Sequence, residues 1–192
     1  MKAYQDASLA PARRAKALLE EMTLAEKVGQ LNQRLYGFRI YERKCVNGED
    51  TIELSEEFCQ EVEKYSGLGV LYGLYRADPW ADKNYETGLT GVLSKKAYNQ
   101  VQRYVLEHSR LGIPVMMSSE CPHGHQALDG YLLPVNLLAG ATFDPAMVRA
   151  AYRVSGRQLQ NMGVDFALMS MLDVLRDPRC GRSEECYSED PY

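Results

Sequence analysis

The sequence predicts an α/β protein, the N-terminal half of an incomplete (β/α)8 TIM-type barrel behind a helical lead-in. Three observations predict it. Short apolar runs at 69–72, 113–117 and 164–170 read as buried strands. Between them lie stretches with apolar residues spaced by three and four, as in helices that cover a parallel sheet. Gly67, Gly69 and Gly73 straddle the first run with the wrong spacing for a dinucleotide loop, and no Walker-type loop occurs. That favours a barrel over an open doubly wound sheet. A complete barrel takes about 250 residues, so 192 residues with three clear strands cannot close one. One domain is expected over 1–192, with the lead-in to about residue 66 and βα units from about residue 67.

The lead-in opens with a helix over Pro11–Met22, where Ala15, Leu18, Leu19 and Met22 share a face. Thr23-Leu24-Ala25-Glu26 is a capping-box pattern that starts a second helix running to about Gln33. Residues 37–54 are polar and mixed, and read as loop or an extended excursion. Ser55–Tyr65 reads as a helix with Phe58, Val62 and Tyr65 inward. After the strand at 69–72, Pro, Gly and Asp make 76–88 a loop. Leu93–Ser109 is helical, with Ala97, Val101, Tyr104 and Val105 inward. The strand at 113–117 leads into a long loop from Ser118 to about Ala139. Asp144-Pro145 starts the next helix, with Asp as N-cap and Pro in the first turn. Met162-Gly163 ends it. The third strand, 164–170, leads into polar residues 173–192.

Composition excludes several function classes. With 45% hydrophobic and 25% charged residues, the chain is neither a disordered tail nor a fibre. A net charge of −4 argues against a nucleic-acid binder. No apolar run approaches the ~20 residues of a membrane-spanning helix. The N-terminus has no apolar signal region, which points to the cytoplasm. Five cysteines without a C-x-x-C pair read as reduced thiols rather than a disulfide framework.

In parallel-sheet folds, sites form at the carboxyl ends of strands. Two loops there are dense in polar groups, Ser118–Gln126 and Arg176–Glu185. Glu120, Cys121, His123 and His125 are metal-ligand types, with Cys180 and Cys186 as candidate partners, but His-x-His is a weak spacing and no metal or other cofactor is assigned. Cys121 beside His123 suggests an activated thiolate, although adjacent loop residues rarely reach that geometry. A third reading is polyol recognition, because a carboxylate accepts hydroxyl protons and Arg offers a rigid fork of donors. Tyr72, Tyr75 and Trp80 would add an apolar platform or simply fill the core. For Arg176, Arg179 and Arg182 the plain alternative is salt bridging to Glu184, Glu185, Glu189 or Asp190.

Several stretches, in order, resemble glycoside hydrolase family 3, the family of β-glucosidases and β-xylosidases. They are Met22–Leu31 (MTLAEKVGQL), Arg110–Val115 with Glu120–Gly124, Gly140–Pro145, Leu172–Arg182 (LDVLRDPRCGR) and Ser188–Pro191. The resemblance implies a (β/α)8-type barrel, retaining hydrolysis of a β-linked oligosaccharide or glycoside, and an Asp nucleophile on a later strand. It implies that Glu120 binds glycone hydroxyls, that Arg182 contacts the same sugar, and that Gln126 makes a further polar contact. Two positions depart from the usual pattern: Glu120 replaces an Asp, its longer reach favouring a pentose such as xylose, and Cys180 replaces a Trp. The family's Lys-His sugar-binding pair is absent, as is the nucleophile, and two carboxyl groups about 5 Å apart are needed. The expectation is therefore the N-terminal part of an exo-acting β-glycosidase, inactive by itself, with Tyr192 inside the barrel. The alternative is a non-catalytic half barrel that binds sugar weakly or self-associates through its open edges.

Overall fold

The computed structural model describes residues 2–191; Met1 and Tyr192, the outer limits of the expected domain, lie outside the described residues. After a 3-10 turn at Ala3–Gln5, helices α1 (Pro11–Glu21) and α2 (Leu24–Gln30) follow in close succession. Thr23 closes the expected capping box: its Oγ1 accepts from the Glu26 amide at 3.3 Å, and Glu26 Oε2 accepts from the Thr23 amide at 2.8 Å. Helix α2 stops at Gln30 rather than near Gln33. There the Leu31 amide turns back to the Gly29 and Val28 carbonyls.

Glu26 is only 5% exposed. Its carboxylate takes the fork of Arg110, Nε at 2.9 Å and Nη2 at 2.7 Å, while Nη2 also donates to the Glu21 carbonyl at 2.8 Å. The Arg110 guanidinium holds the Glu26 carboxyl below its ordinary range. Two of the motif stretches, 84 residues apart in sequence, are thus joined by one charge-assisted clasp.

Of the two readings for 37–54, loop or extended excursion, residues 41–54 take the extended one, as a hairpin: β1 (Tyr41–Val46) pairs antiparallel with β2 (Glu49–Leu54). Asn47 and Gly48 make the turn with φ of 54° and 81°. Both central residues of a type I′ turn need positive φ, and Asn-Gly supplies it. The strands look polar because one face is solvated; Tyr41 and Ile52 fill the other. Gly48→Ala is expected to cost about 1 kcal/mol from backbone strain alone, since a Cβ there meets nothing within 4 Å. Urea unfolding measures it.

Ser55 caps α3 (Glu56–Tyr65) by accepting from the Phe58 amide at 3.3 Å. Strand β3 (Val70–Tyr72), helix α4 (Gly91–Glu107) and strand β4 (Met116–Glu120) follow. Short α5 (Asn136–Gly140) and longer α6 (Pro145–Asn161) lead to β5 (Phe166–Leu168), and a 3-10 turn spans Ser183–Glu185. Asp144 caps α6 through the Met147 amide at 2.9 Å, and Gly163 ends it with φ 72°. The sheet is parallel, in the order β3-β4-β5, so each βα unit adds a strand beside the last. That is how barrel strands succeed one another.

Strand β4 begins three residues later than expected and includes Ser118–Glu120, which the sequence suggested were loop. Pro114 has no amide to give a ladder, so pairing starts where the Met116 amide reaches the Gly69 carbonyl at 2.9 Å. Strand β5 is shorter than 164–170 because the Val164 amide still closes α6, bonding the Leu159 carbonyl at 3.0 Å. The core lies between the sheet and α3 and α4, where Phe58, Val62, Val101, Val105, Leu71 and Met117 are buried. Among the described residues, no helix is long and apolar enough to cross a membrane.

Candidate functional site

The carboxyl ends of β3 and β4 lie side by side, with Tyr72 registered against Ser118. Alternation along β4 puts Ser118 and Glu120 on one face. Tyr72, the last residue of β3, donates its hydroxyl to Glu120 Oε1 at 2.5 Å. Burial and the Glu120 carboxylate push the Tyr72 phenol well above its ordinary range, so it is a neutral donor. Four residues on, Arg76 donates from Nη1 to the Tyr72 hydroxyl and, at 3.2 Å, to Glu120 Oε1. Its Nε and Nη2 both reach Asp78 Oδ2 at 2.7 Å. Asp78 Oδ1 in turn accepts from the Ala81 amide at 2.8 Å. Glu120 keeps 23% of its side chain exposed.

An aromatic group borders this cluster. The Arg76 guanidinium sits 4.5 Å from the Trp80 ring. Trp80 meets the rings of Tyr36 and Phe38, each at 5.0 Å and edge-on. Trp80 and Tyr36 are exposed, whereas Tyr75 is buried and donates to the Met162 carbonyl at 2.7 Å. Of the three aromatics the sequence suggested as a platform, Tyr75 is core, Tyr72 is a hydrogen-bond donor, and only Trp80 faces solvent.

Gln126 comes back to Glu120 through the backbone: its amide donates to the Glu120 carbonyl at 3.2 Å, and its carbonyl accepts from Ala77 at 3.2 Å. Its side-chain Oε1 is buried with no partner among the described residues. Arg182 makes no hydrogen bond or ion pair with Glu120 among the described residues, although its pKa is raised by Glu185 first and, after it, by the Glu120 charge. It forks onto Glu185, Nε to Oε1 at 2.6 Å and Nη2 to Oε2 at 2.5 Å, with 63% of its side chain exposed. Arg179 pairs with Asp177 at 2.6 Å, also on the surface.

The metal-ligand and thiolate readings of the loop after β4 find no support in its geometry. Among the described residues, no three His, Cys, Asp or Glu side chains converge as a metal set. Cys121 is fully buried, and burial raises its thiol pKa, which keeps it protonated. His125 is buried, 3.0 Å from Ser119 Oγ through Nε2 and edge-on to Tyr75. Burial pushes its pKa down to about 4, so the ring is neutral at pH 7. Gly124 between the two histidines has φ 93°, and a Cβ there would lie 2.2 Å from the Tyr131 carbonyl oxygen.

The His125 shift has a consequence for stability. The unfolded chain takes up a proton near pH 6.5 and the folded chain only near 4, so stability falls as pH drops through that window. About 2 kcal/mol should be lost between pH 7 and pH 5. The carboxylates held low, such as Glu26 and Asp78, contribute their losses below that range. Urea unfolding at both pH values checks it, and His125→Gln should flatten the slope.

A second network fixes the two motif loops to each other. The Tyr152 hydroxyl on α6 lies 2.6 Å from the Pro122 carbonyl, 2.7 Å from Asn136 Oδ1 and 2.7 Å from Ser170 Oγ. Asn136 Nδ2 donates to the Glu185 carbonyl at 2.7 Å, and Tyr187 donates to Ser170 Oγ at 3.0 Å. The backbone after Glu120 and the backbone after Arg182 are therefore held by common groups. Sequence reasoning missed Tyr36, Arg76, Asp78 and Tyr152. Arg76-Ala77-Asp78, four residues past the end of a strand, was the one local signal that could have found its own pair.

Comparisons with known proteins agree with one another. A model described as "Glycosyl hydrolase family 3 N terminal domain" matches residues 23–192. The chain is 31% identical over 191 residues to a "Putative beta-xylosidase" of Formosa agariphila, covering 100% of this chain and 23% of that protein. It is 27% identical over 175 residues to a periplasmic β-glucosidase of Salmonella typhimurium, covering 91% of this chain and 18% of that protein. The solved structure of a β-glucosidase, EmGH1, from Erythrobacter marinus superimposes with a TM-score of 0.72 at 29% identity, over 99% of this chain and 22% of its own. The chain spans less than a quarter of the length of each.

Proposed function

The chain belongs to glycosyl hydrolase family 3, and on that premise we propose that it supplies glycone-binding groups of a retaining, exo-acting β-glycosidase acting on β-xylosides or β-glucosides. The observation that carries this reading is the state of Glu120. Its Oε1 is filled by Tyr72 and Arg76, while no partner of Oε2 occurs among the described residues. A carboxylate oxygen held at a strand end accepts hydroxyl protons from a sugar. The cluster has two carboxylates, Asp78 and Glu120, against one guanidinium, Arg76. That balance suits a neutral polyol and disfavours an acidic sugar.

In this reading Glu120 accepts from glycone hydroxyls, Gln126 adds a polar contact, and Arg182 donates to the same sugar. The reacting carboxylates are assigned to other parts of the enzyme. Retention needs two carboxyl groups about 5 Å apart, and the second carboxylate here, Asp78, has both oxygens occupied. These residues alone would bind but not hydrolyse.

The test is hydrolysis of 4-nitrophenyl β-D-xyloside and β-D-glucoside. Glu120→Asp shortens the reach into the subsite and should shift the kcat/KM ratio toward the glucoside. An unchanged ratio removes the pentose argument, and no hydrolysis of either by the wild-type enzyme removes the function. A second reading, a self-associating sugar-binding half barrel, is favoured by the exposed Phe166, Met169 and Leu172 in and after β5. Sedimentation would show it as a dimer or larger.

A further inference from the structure

A glutamate has one more rotatable bond than an aspartate, so a subsite built on Glu120 needs something to fix the carboxylate. We propose that Tyr72 and Arg76 are positioning residues for Glu120, clamping Oε1 so that Oε2 alone is presented to the sugar. This rests on the glycone reading above and deepens it.

Each member of the clamp is itself held in place. Tyr72 belongs to β3 itself, so its hydroxyl is held by the sheet rather than by a loop. Arg76 follows a tight turn at Gly73, whose φ is 72° and whose carbonyl accepts the Arg76 amide at 3.2 Å. Asp78 grips Nε and Nη2, which leaves Nη1 to face Tyr72 and Glu120. Asp78 is anchored by the Ala81 amide, and Trp80 packs by the guanidinium. With 15% of its side chain exposed, Arg76 cannot swing into solvent without breaking all of these.

The consequence is pre-organisation. Fixing the carboxylate before substrate arrives removes an ordering cost that binding would otherwise bear. It also sets which oxygen the sugar meets. A free Glu120 could turn either oxygen outward and accept hydroxyls at several positions, so the clamp narrows the choice of sugar as well as tightening it.

Two measurements on the chain test this. The first needs no sugar: the carboxyl-carbon NMR signal of Glu120, identified by its loss in Glu120→Gln, should move in both Tyr72→Phe and Arg76→Lys. If neither variant moves it, the clamp is overturned whatever the sugar does. The second is calorimetric titration with methyl β-D-xylopyranoside. Arg76→Met should weaken binding about tenfold or more in the wild-type background and not further in Glu120→Gln. An equal loss in both backgrounds means that Arg76 only supports the fold, which overturns the proposal. Tyr72→Phe keeps the ring in place and serves the same cycle if Arg76→Met does not fold. If the wild-type chain binds no glycoside, the glycone reading falls, and the NMR arm still decides the clamp.

Discussion

Arg182→Ala is expected to lower kcat/KM of the glycosidase by roughly 30- to 1000-fold, about 2–4 kcal/mol of transition-state stabilisation. The expectation comes from treating Arg182 as a charged donor to the sugar, as proposed above. The structure sets a sharp competitor to it. Arg182 forks onto Glu185, three residues on, and stands mostly in solvent. An exposed pair of this kind is worth about 0–1 kcal/mol. If bracing the loop were its whole role, Arg182→Ala and Glu185→Ala would cost alike, each under tenfold. If Arg182 contacts the sugar, Glu185→Ala leaves the donor in place and costs far less. Arg182→Lys sharpens the contrast, because Lys keeps the charge but not the planar fork. A loss below tenfold for Arg182→Ala would remove its assigned role.

The Glu185 partner is also informative about the loop. Asn136 takes the Glu185 carbonyl, and Tyr152 links Asn136 to Pro122 and Ser170. Arg182 therefore hangs from a segment fixed at its far side, and Glu120 from a segment fixed by the same hub. The Arg182 pKa is raised by Glu185 first and, after it, by the Glu120 charge, so the side chains of Arg182 and Glu120 lie within electrostatic reach across these fixed loops.

What was legible in the sequence follows from how local each signal is. The caps at Thr23 and Asp144 depend on residues three apart, and both hold as read. The parallel strands were visible as short, near-continuous apolar runs, although Met116 in β4 and Phe166 in β5 stay exposed. The hairpin at 41–54 was obscured because only one face is buried and its solvated face carries Glu42, Lys44, Glu49 and Glu53. Its Asn47-Gly48 turn was the signal to weigh. Glu120 was singled out from its motif, but the groups that hold its side chain were not. Tyr72 and Glu120 are 48 positions apart, and nothing local says that their strands are neighbours in register. Arg182 shows the converse: a motif locates the residue, and the fold adds a partner, Glu185, that was one of several weighed.

Gly69→Ala is expected to cost more than about 3 kcal/mol, at or beyond the upper end of overpacking losses. Gly69 is one of three glycines spaced wrongly for a dinucleotide loop, and packing supplies the reason for it. A Cβ at this position would lie 1.9 Å from the Gln30 carbonyl oxygen and 2.4 Å from its carbon, both backbone atoms. No rotamer change relieves such a contact; the end of α2 or the start of β3 must move. The same approach lets the Gly69 amide donate to the Gly29 carbonyl at 3.0 Å and the Gly69 carbonyl accept from Met116 at 2.9 Å. Gly29 is itself tight, since a Cβ there would lie 2.6 Å from that of Tyr65. The last turn of α2 is thus wedged against α3 and β3 through two positions without side chains. Displacing it shifts the strand that carries Tyr72, so the folded fraction of Gly69→Ala should also weaken the hold on Glu120. Urea unfolding measures the stability loss. Gly156→Ala in α6 is the control: a Cβ there meets nothing within 4 Å. It should gain about 0.5–1 kcal/mol from helix propensity. If Gly69→Ala lost less than about 1 kcal/mol, the wedge would have room to yield, and the lead-in would be more loosely docked on the sheet than these distances require.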